Sequence, residues 1–131
     1  MPRYMLDADS VSYALRGQGQ VGKHLLEHQP SDLCISAITL AELRFGAEAK
    51  RSQKIRRGIS TFIKDVAILP FDEASAERFG VVAAALAARG EPIGVVDTLV
   101  AAHALSLGLT VVTNNTKHFR RVPGLAVENW T

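Results

Sequence analysis

The sequence predicts an α/β fold: a mostly parallel central sheet of about five strands flanked by helices. Three observations predict it. Short β-rich apolar runs alternate with longer helical patterns along the chain, the layout of a parallel sheet covered on both faces. No internal repeat, low-complexity tract or linker interrupts the pattern, so residues 1–131 are expected to form a single domain. Length and composition agree: 131 residues with 47% hydrophobic and 21% charged residues suit one globular unit with a sizeable core.

The elements follow in order. Tyr4-Met5-Leu6 is a first strand, ended by Asp7. A helix runs from Ser10, with Val11, Ala14 and Leu15 on one side, to Gly17. A second helix near Gln20 to His28 sets Val21 and Leu25 four apart and stops at Gln29-Pro30. Leu33-Cys34-Ile35 is a second strand. The next helix takes in Leu40, Ala41, Leu43 and Ala47, and a basic helix with Ile55, Ile59, Phe62 and Ile63 comes after it. Val66 to Leu69 is a third strand, closed by Pro70, and Asp72 caps an alanine-rich helix that stops at Gly90. Val95 to Leu107 is helical, with Gly108 well placed to end it. Leu109 to Val112 and Ala126 to Val127 complete the strands.

The composition excludes a disordered tail, a collagen-like repeat and a disulfide scaffold. The one cysteine, Cys34, has no internal partner and is expected to be an inert core residue in a reducing compartment. Asp7 interrupts the N-terminus before an apolar stretch of signal-peptide length can form, and Gly94 to Leu107 is too short for a membrane span. A cytoplasmic location and no membrane partner are therefore expected. The net charge is only +2, but Arg44, Lys50, Arg51, Lys54, Arg56 and Arg57 face a single acid, Glu48, within one segment. Lys117, Arg120 and Arg121 form a second cluster. Such clusters are either a solvated helix face or the footprint of a polyanionic partner.

In open α/β sheets ligands bind beyond the carboxyl ends of the strands, which directs attention to Asp7. Glu42 and Asp97 are lone carboxylates in apolar runs, and Asn115 follows the fourth strand directly. Each has a structural explanation. Asp7 or Asp9 caps a helix, Glu42 completes a capping box with Thr39, Asp97 answers a helix dipole, and Asn115 forms a turn. Taken together they suggest something else. Carboxylates in apolar sequence are expensive to bury unless neutralised, and three on one rim repel unless a cation sits among them. Hard divalent ions such as Mg²⁺ or Mn²⁺ take such oxygen donors.

Four segments carry a family resemblance: Met5-Leu6-Asp7, Ile35 through Ala47, Pro92 through Ala104, and Val112 through Phe119. In that order and at those separations they resemble a PIN domain, and more narrowly the VapC toxin ribonucleases of VapBC toxin–antitoxin pairs. The likeness runs through to Pro123-Gly124-Leu125-Ala126-Val127-Glu128-Asn129-Trp130. The resemblance implies that Asp7 and Asp97 are the main Mg²⁺ ligands and that Glu42 is the third acid, binding directly or through water. Asn115 would orient a water on the metal or support a second ion, with Thr113 as its hydrogen-bonding neighbour. Two departures stand out: Asp7-Ala8-Asp9 replaces the common Asp-Thr-Asn, and His118 stands where relatives often have an acid. Asp9 would either strengthen metal binding or cap the helix.

What the resemblance implies for function is metal-assisted hydrolysis of an RNA phosphodiester, leaving 5′-phosphate and 3′-hydroxyl ends. The substrate would be a structured RNA, tRNA above all, and its cleavage would inhibit translation. Arg44, Lys50, Arg51 and Lys117 are the expected RNA contacts, holding phosphates rather than reading bases. A cognate VapB-type antitoxin would wrap an apolar groove and block the acids. Homodimers, and larger toxin–antitoxin complexes that bind operator DNA through the antitoxin, are also implied. Two other readings compete with this one. Asp7-Ala8-Asp9 fits the loop of a haloacid-dehalogenase-like phosphatase, but no later metal motif or cap segment accompanies it. A binding-only module would be expected to lose acids, yet all three remain. His24 and His28 make a poor zinc site and are expected on a solvated helix face.

Overall fold

The computed structural model describes residues 2–131. Its strands are β1 (Tyr4–Leu6), β2 (Leu33–Ser36), β3 (Ala67–Leu69), β4 (Thr110–Val112) and β5 (Val127–Glu128). The helices are α1 (Ala8–Leu15), α2 (Val21–Leu26), α3 (Ala37–Ala49), α4 (Gln53–Asp65), α5 (Glu73–Ala88), α6 (Val95–Leu107) and α7 (Thr116–Phe119). The five strands form one parallel sheet in the order β3-β2-β1-β4-β5. The expected fold class is the observed one.

The strands are parallel because each connection is helical. Their brevity is offset by burial on both faces, visible in the side-chain alternation. Tyr4, Leu6, Leu33, Ile35 and Val112 pack on one face with α1, α2, α3 and α4. Met5, Cys34 and Val111 pack on the other with α5, α6 and Phe119 of α7. Cys34 is fully buried there, and loss of water pushes its thiol up to about 12, which keeps it unreactive as expected.

The order of the strands positions the site. From β1 the chain moves to β2 and then β3, and after α5 and α6 it returns to the other side of β1 as β4. The direction in which strands are added therefore reverses between β1 and β4, and the crevice beyond their carboxyl ends is where such folds bind ligands. Asp7 N–H donates to Val112 O at 3.0 Å and Ser10 Oγ–H to the same oxygen at 3.0 Å, tying the two strand ends together.

Local chemistry sets the helix ends, with three corrections to the expectations. α1 starts at Ala8 rather than Ser10, because Asp7 itself is the N-cap. Glu42 does not complete a capping box with Thr39: β2 ends at Ser36, whose hydroxyl accepts from Ile38 N–H at 3.1 Å and caps α3 one turn earlier. His24 and His28 are not a solvated face. Both are half-buried and stack on Trp130, with centroids 5.1 and 4.9 Å away, while Tyr4 tilts against the same indole at 5.0 Å. Asp72 caps α5 as expected, accepting from Ser75 N–H at 2.9 Å, and Gly108 ends α6 in the left-handed region at φ 68°. Among the described residues no helix is long and apolar enough to cross a membrane.

Candidate active site

Asp7 occupies the sheet's reversal point and is only 6% exposed. Its two oxygens are divided between two donors: Oδ1 accepts from Ser10 N–H at 2.9 Å and Oδ2 from the Thr113 hydroxyl at 2.5 Å. These bonds favour the charged form, but loss of water outweighs them and the carboxyl is pushed up to about 6, with the Asp9 charge adding to the rise. The cap reading of Asp7 is thus correct, yet a cap does not need burial. An exposed aspartate would cap α1 equally well.

Glu42 projects from the second turn of α3 toward the same region. Loss of water pushes its carboxyl up to about 6, followed by the charges of Asp97, Asp7 and Asp9. The residue as a whole remains exposed at the rim of the site. Asp97 stands in the first turn of α6, whose N-cap is Gly94 at φ 94°, a backbone only glycine adopts readily. Burial raises the Asp97 pKa, opposed by His118 and reinforced by Asp9. Asp9 lies exposed on the first turn of α1 and enters the cluster through its charge.

The loop after β4 supplies the neutral groups. Thr113 is fully buried, and its oxygen also accepts from Asn115 N–H at 2.9 Å. One hydroxyl thus joins Asp7 to Asn115. Asn115 begins α7 without a side-chain cap bond; its Nδ2 lies 2.8 Å from His118 Nδ1. The same His118 nitrogen is 3.7 Å from Asp97 Oδ2, so the departure at His118 places an imidazole between the loop amide and a site carboxylate.

The oxygens available are all hard donors, and four carboxyls share one field. That chemistry suits a hard divalent cation. Among the described residues, however, no three His, Cys, Asp or Glu side chains stand close enough together to hold a metal ion as placed. Asp7 is turned to its donors Ser10 and Thr113, and Asp97 has the His118 imidazole 3.7 Å away. The donor set fits such an ion in kind, because each Asp7 oxygen accepts one hydrogen bond and keeps a second lone pair.

The four expected RNA contacts are not brought together. Lys50 lies on the rim of a groove of about 460 Å³ between α1, α3 and α4, floored by Leu15, Leu43, Ala47 and Ile55 and reaching Glu42. Arg51 takes a left-handed backbone at φ 50° in the α3–α4 turn, and Arg44 is half-buried. Lys117 stands apart from them on α7. In the basic segment Arg56 is engaged by Glu48 at 2.7 Å. Thr39, named from the sequence only as a capping partner, is fully buried one turn before Glu42, and its hydroxyl has no hydrogen-bond partner among the described residues.

Comparison with known proteins accords with this geometry. The PIN domain family model matches residues 4–125. The chain is 36% identical to the "tRNA(fMet)-specific endonuclease VapC" of Shigella flexneri, with all of both chains covered. It is 37% identical to "Ribonuclease VapC2" of Haemophilus influenzae, with 99% of each covered. Among solved structures, VapBC2 from Rickettsia felis bound to a fragment of promoter DNA is similar at a TM-score of 0.89 and 32% identity, covering 98% of both chains. DNA-bound VapBC from Salmonella typhimurium gives 0.89 and 36% over the full length of both. The chain belongs to the PIN-domain family and, within it, to the VapC group.

Proposed function

We propose that this chain is the toxic component of a VapBC-type toxin–antitoxin pair, an Mg²⁺-dependent endoribonuclease that hydrolyses a structured RNA and so inhibits translation. The observation that carries the reading is Asp7: a buried carboxyl at the sheet's reversal point, pushed up to about 6, with Glu42 and Asp97 sharing its field. Such an arrangement destabilises the fold at neutral pH and is explained by a ligand that neutralises it. Relatives named as tRNA(fMet)-specific endonucleases support tRNA, and initiator tRNA first, as the substrate.

Asp7 and Asp97 would hold the cation, with Glu42 binding it directly or through water, and Mn²⁺ would substitute for Mg²⁺. A cation bound there supplies the charge that acidifies an attacking water and neutralises the phosphoryl oxygens in flight. Thr113 fixes the orientation of Asp7 by donating to Oδ2, and its second bond holds the backbone of Asn115. With its Nδ2 against His118, Asn115 would orient a water through its amide oxygen, and Asp9 would add charge at the rim. Water rather than a ribose hydroxyl is the nucleophile in this scheme, so the products carry 5′-phosphates.

The partner would be a VapB-type antitoxin, as in the DNA-bound VapBC complexes, with the assembly gripping operator DNA through the antitoxin and the toxin as a homodimer. The apolar floor of the α1–α3–α4 groove and its end at Glu42 support that groove as the antitoxin's seat. The test is induction of the chain by itself in bacterial cells beside Asp7→Asn, with growth and RNA 5′ ends followed. Growth arrest with new ends for the wild type only is expected; arrest by both, or by neither at equal expression, counts against the reading.

A further inference from the structure

The acidic site repels the very polymer it is proposed to cut, so a cationic anchor must hold the RNA nearby. Which of the two basic clusters does so is decided by the surface that each one lines. On the α3–α4 side, Arg56 is paired with Glu48, and Lys50 and Lys54 edge the apolar groove. On the other side, Arg89, Glu91, Lys117, Arg120, Arg121 and Pro123 line an open cavity of about 600 Å³. Four cations against one acid give it a local charge of +3 in a chain whose total is +2.

This cavity is a built one. Arg121 donates to Pro92 O at 3.2 Å, Arg89 donates to Arg121 O, and both guanidinium groups lie within 4 Å of the Glu91 carboxylate, at 3.9 and 3.5 Å. These contacts fix the two arginines on its wall. Lys117 and Arg120 have no acidic partner within ion-pair distance among the described residues. The cavity is also attached to the site. Lys117 and Arg120 belong to α7 and its C-cap, and α7 follows Asn115 and carries His118, which faces Asp97. The Arg89–Pro92 wall leads through Ile93 and Gly94 into the helix that bears Asp97.

Resting on the ribonuclease reading above, we infer that the Arg89–Lys117–Arg120–Arg121 cavity binds a backbone phosphate of the substrate RNA away from the scissile bond. It anchors the strand on the α7 side and sets its register across the acids. The contact is to phosphate, so it adds affinity without reading sequence.

The test uses the full chain and a transcript of bacterial initiator tRNA. Cleavage is followed from 50 to 300 mM KCl (about the range over which such contacts weaken) for the wild type, Lys117→Ala, Arg120→Ala, the double variant, and Lys64→Ala as a cation elsewhere on the surface. Each cavity variant should raise KM with kcat retained, and the log–log salt dependence of kcat/KM should become shallower by about 0.7 to 0.9 per cation removed. Lys64→Ala should do neither. An unchanged KM and slope in the double variant, or an equal effect from Lys64→Ala, overturns the anchor while the ribonuclease reading stands. A double variant that cleaves normally but escapes its antitoxin assigns the cavity to an acidic protein segment instead. Wild-type protein that cleaves no RNA at all defeats both readings.

Discussion

At the scale of single residues, Asp7 shows the tension between folding and function. Its carboxyl ordinarily ionises near 3.8, whereas burial in the folded protein moves it to about 6. An acid with a raised folded-state pKa is protonated preferentially by the native state, so its contribution to stability is most favourable below about 4 and is lost as pH rises through about 6. Without divalent cations, the protein should therefore be more stable at pH 5 than at pH 7.5. Asp7→Asn should remove most of that dependence and stabilise the protein at pH 7.5 by on the order of 2 kcal/mol while abolishing cleavage. Denaturant unfolding in EDTA at the two pH values measures it. Adding Mg²⁺ should raise the melting temperature of the wild type and leave the variant nearly unmoved. Thr39 makes a second case. Thr39→Val removes a buried hydroxyl without a described partner and should stabilise by about 1 kcal/mol. Destabilisation in the same unfolding experiment would mean the hydroxyl is engaged.

At the scale of elements, sequence reasoning worked wherever a local signal ended a local pattern. Asp7, Pro70 and Gly108 each stop a run, and Asp72 starts one; the structure uses them so. It faltered where two signals competed. Both Ser36 and Thr39 precede an apolar helical run, and the choice between them depends on where β2 stops pairing, which is a property of the sheet. The Trp130 cluster was beyond reach for a different reason: residues about a hundred positions apart meet through β1, α2 and the segment after β5. Trp130 is buried, and its Nε1–H donates to Glu128 at 2.9 Å. Trp130→Ala should destabilise the protein by about 3 kcal/mol or more, measured by thermal or denaturant unfolding. The α3 helix offers the converse. A Cβ at Gly46 meets nothing within 4 Å, and Gly46 lines the apolar groove. Gly46→Ala should stabilise by up to about 1 kcal/mol through helix propensity. Gly46→Leu should keep RNA cleavage and weaken neutralisation by the antitoxin, scored by co-expression.

At the scale of the whole molecule, the strand order β3-β2-β1-β4-β5 does what the chain sequence could only suggest. It brings Asp7, Glu42, Asp97 and the Thr113–Asn115 loop to one end of the sheet, from four separate stretches of chain. Lone acids in apolar runs made that gathering legible, because burial of a carboxylate demands a reason. The detailed spacing was not legible. It depends on Thr113 and His118 competing for the carboxylates, a matter of side-chain rotamers. The same topology divides the surface into an apolar groove on the α1–α3–α4 side and a cationic cavity on the α5–α7 side, with the acids related to both. In the function proposed above, this arrangement hydrolyses RNA by attack of water under divalent-metal control. The most direct measurement is incubation of purified protein with initiator tRNA and Mg²⁺, followed by determination of the end groups, with Asp7→Asn and EDTA in parallel. Attack by water should leave 5′-phosphate and 3′-hydroxyl ends that disappear in both controls. Ends bearing 5′-hydroxyl and 2′,3′-cyclic phosphate, or cutting that survives Asp7→Asn, would contradict it.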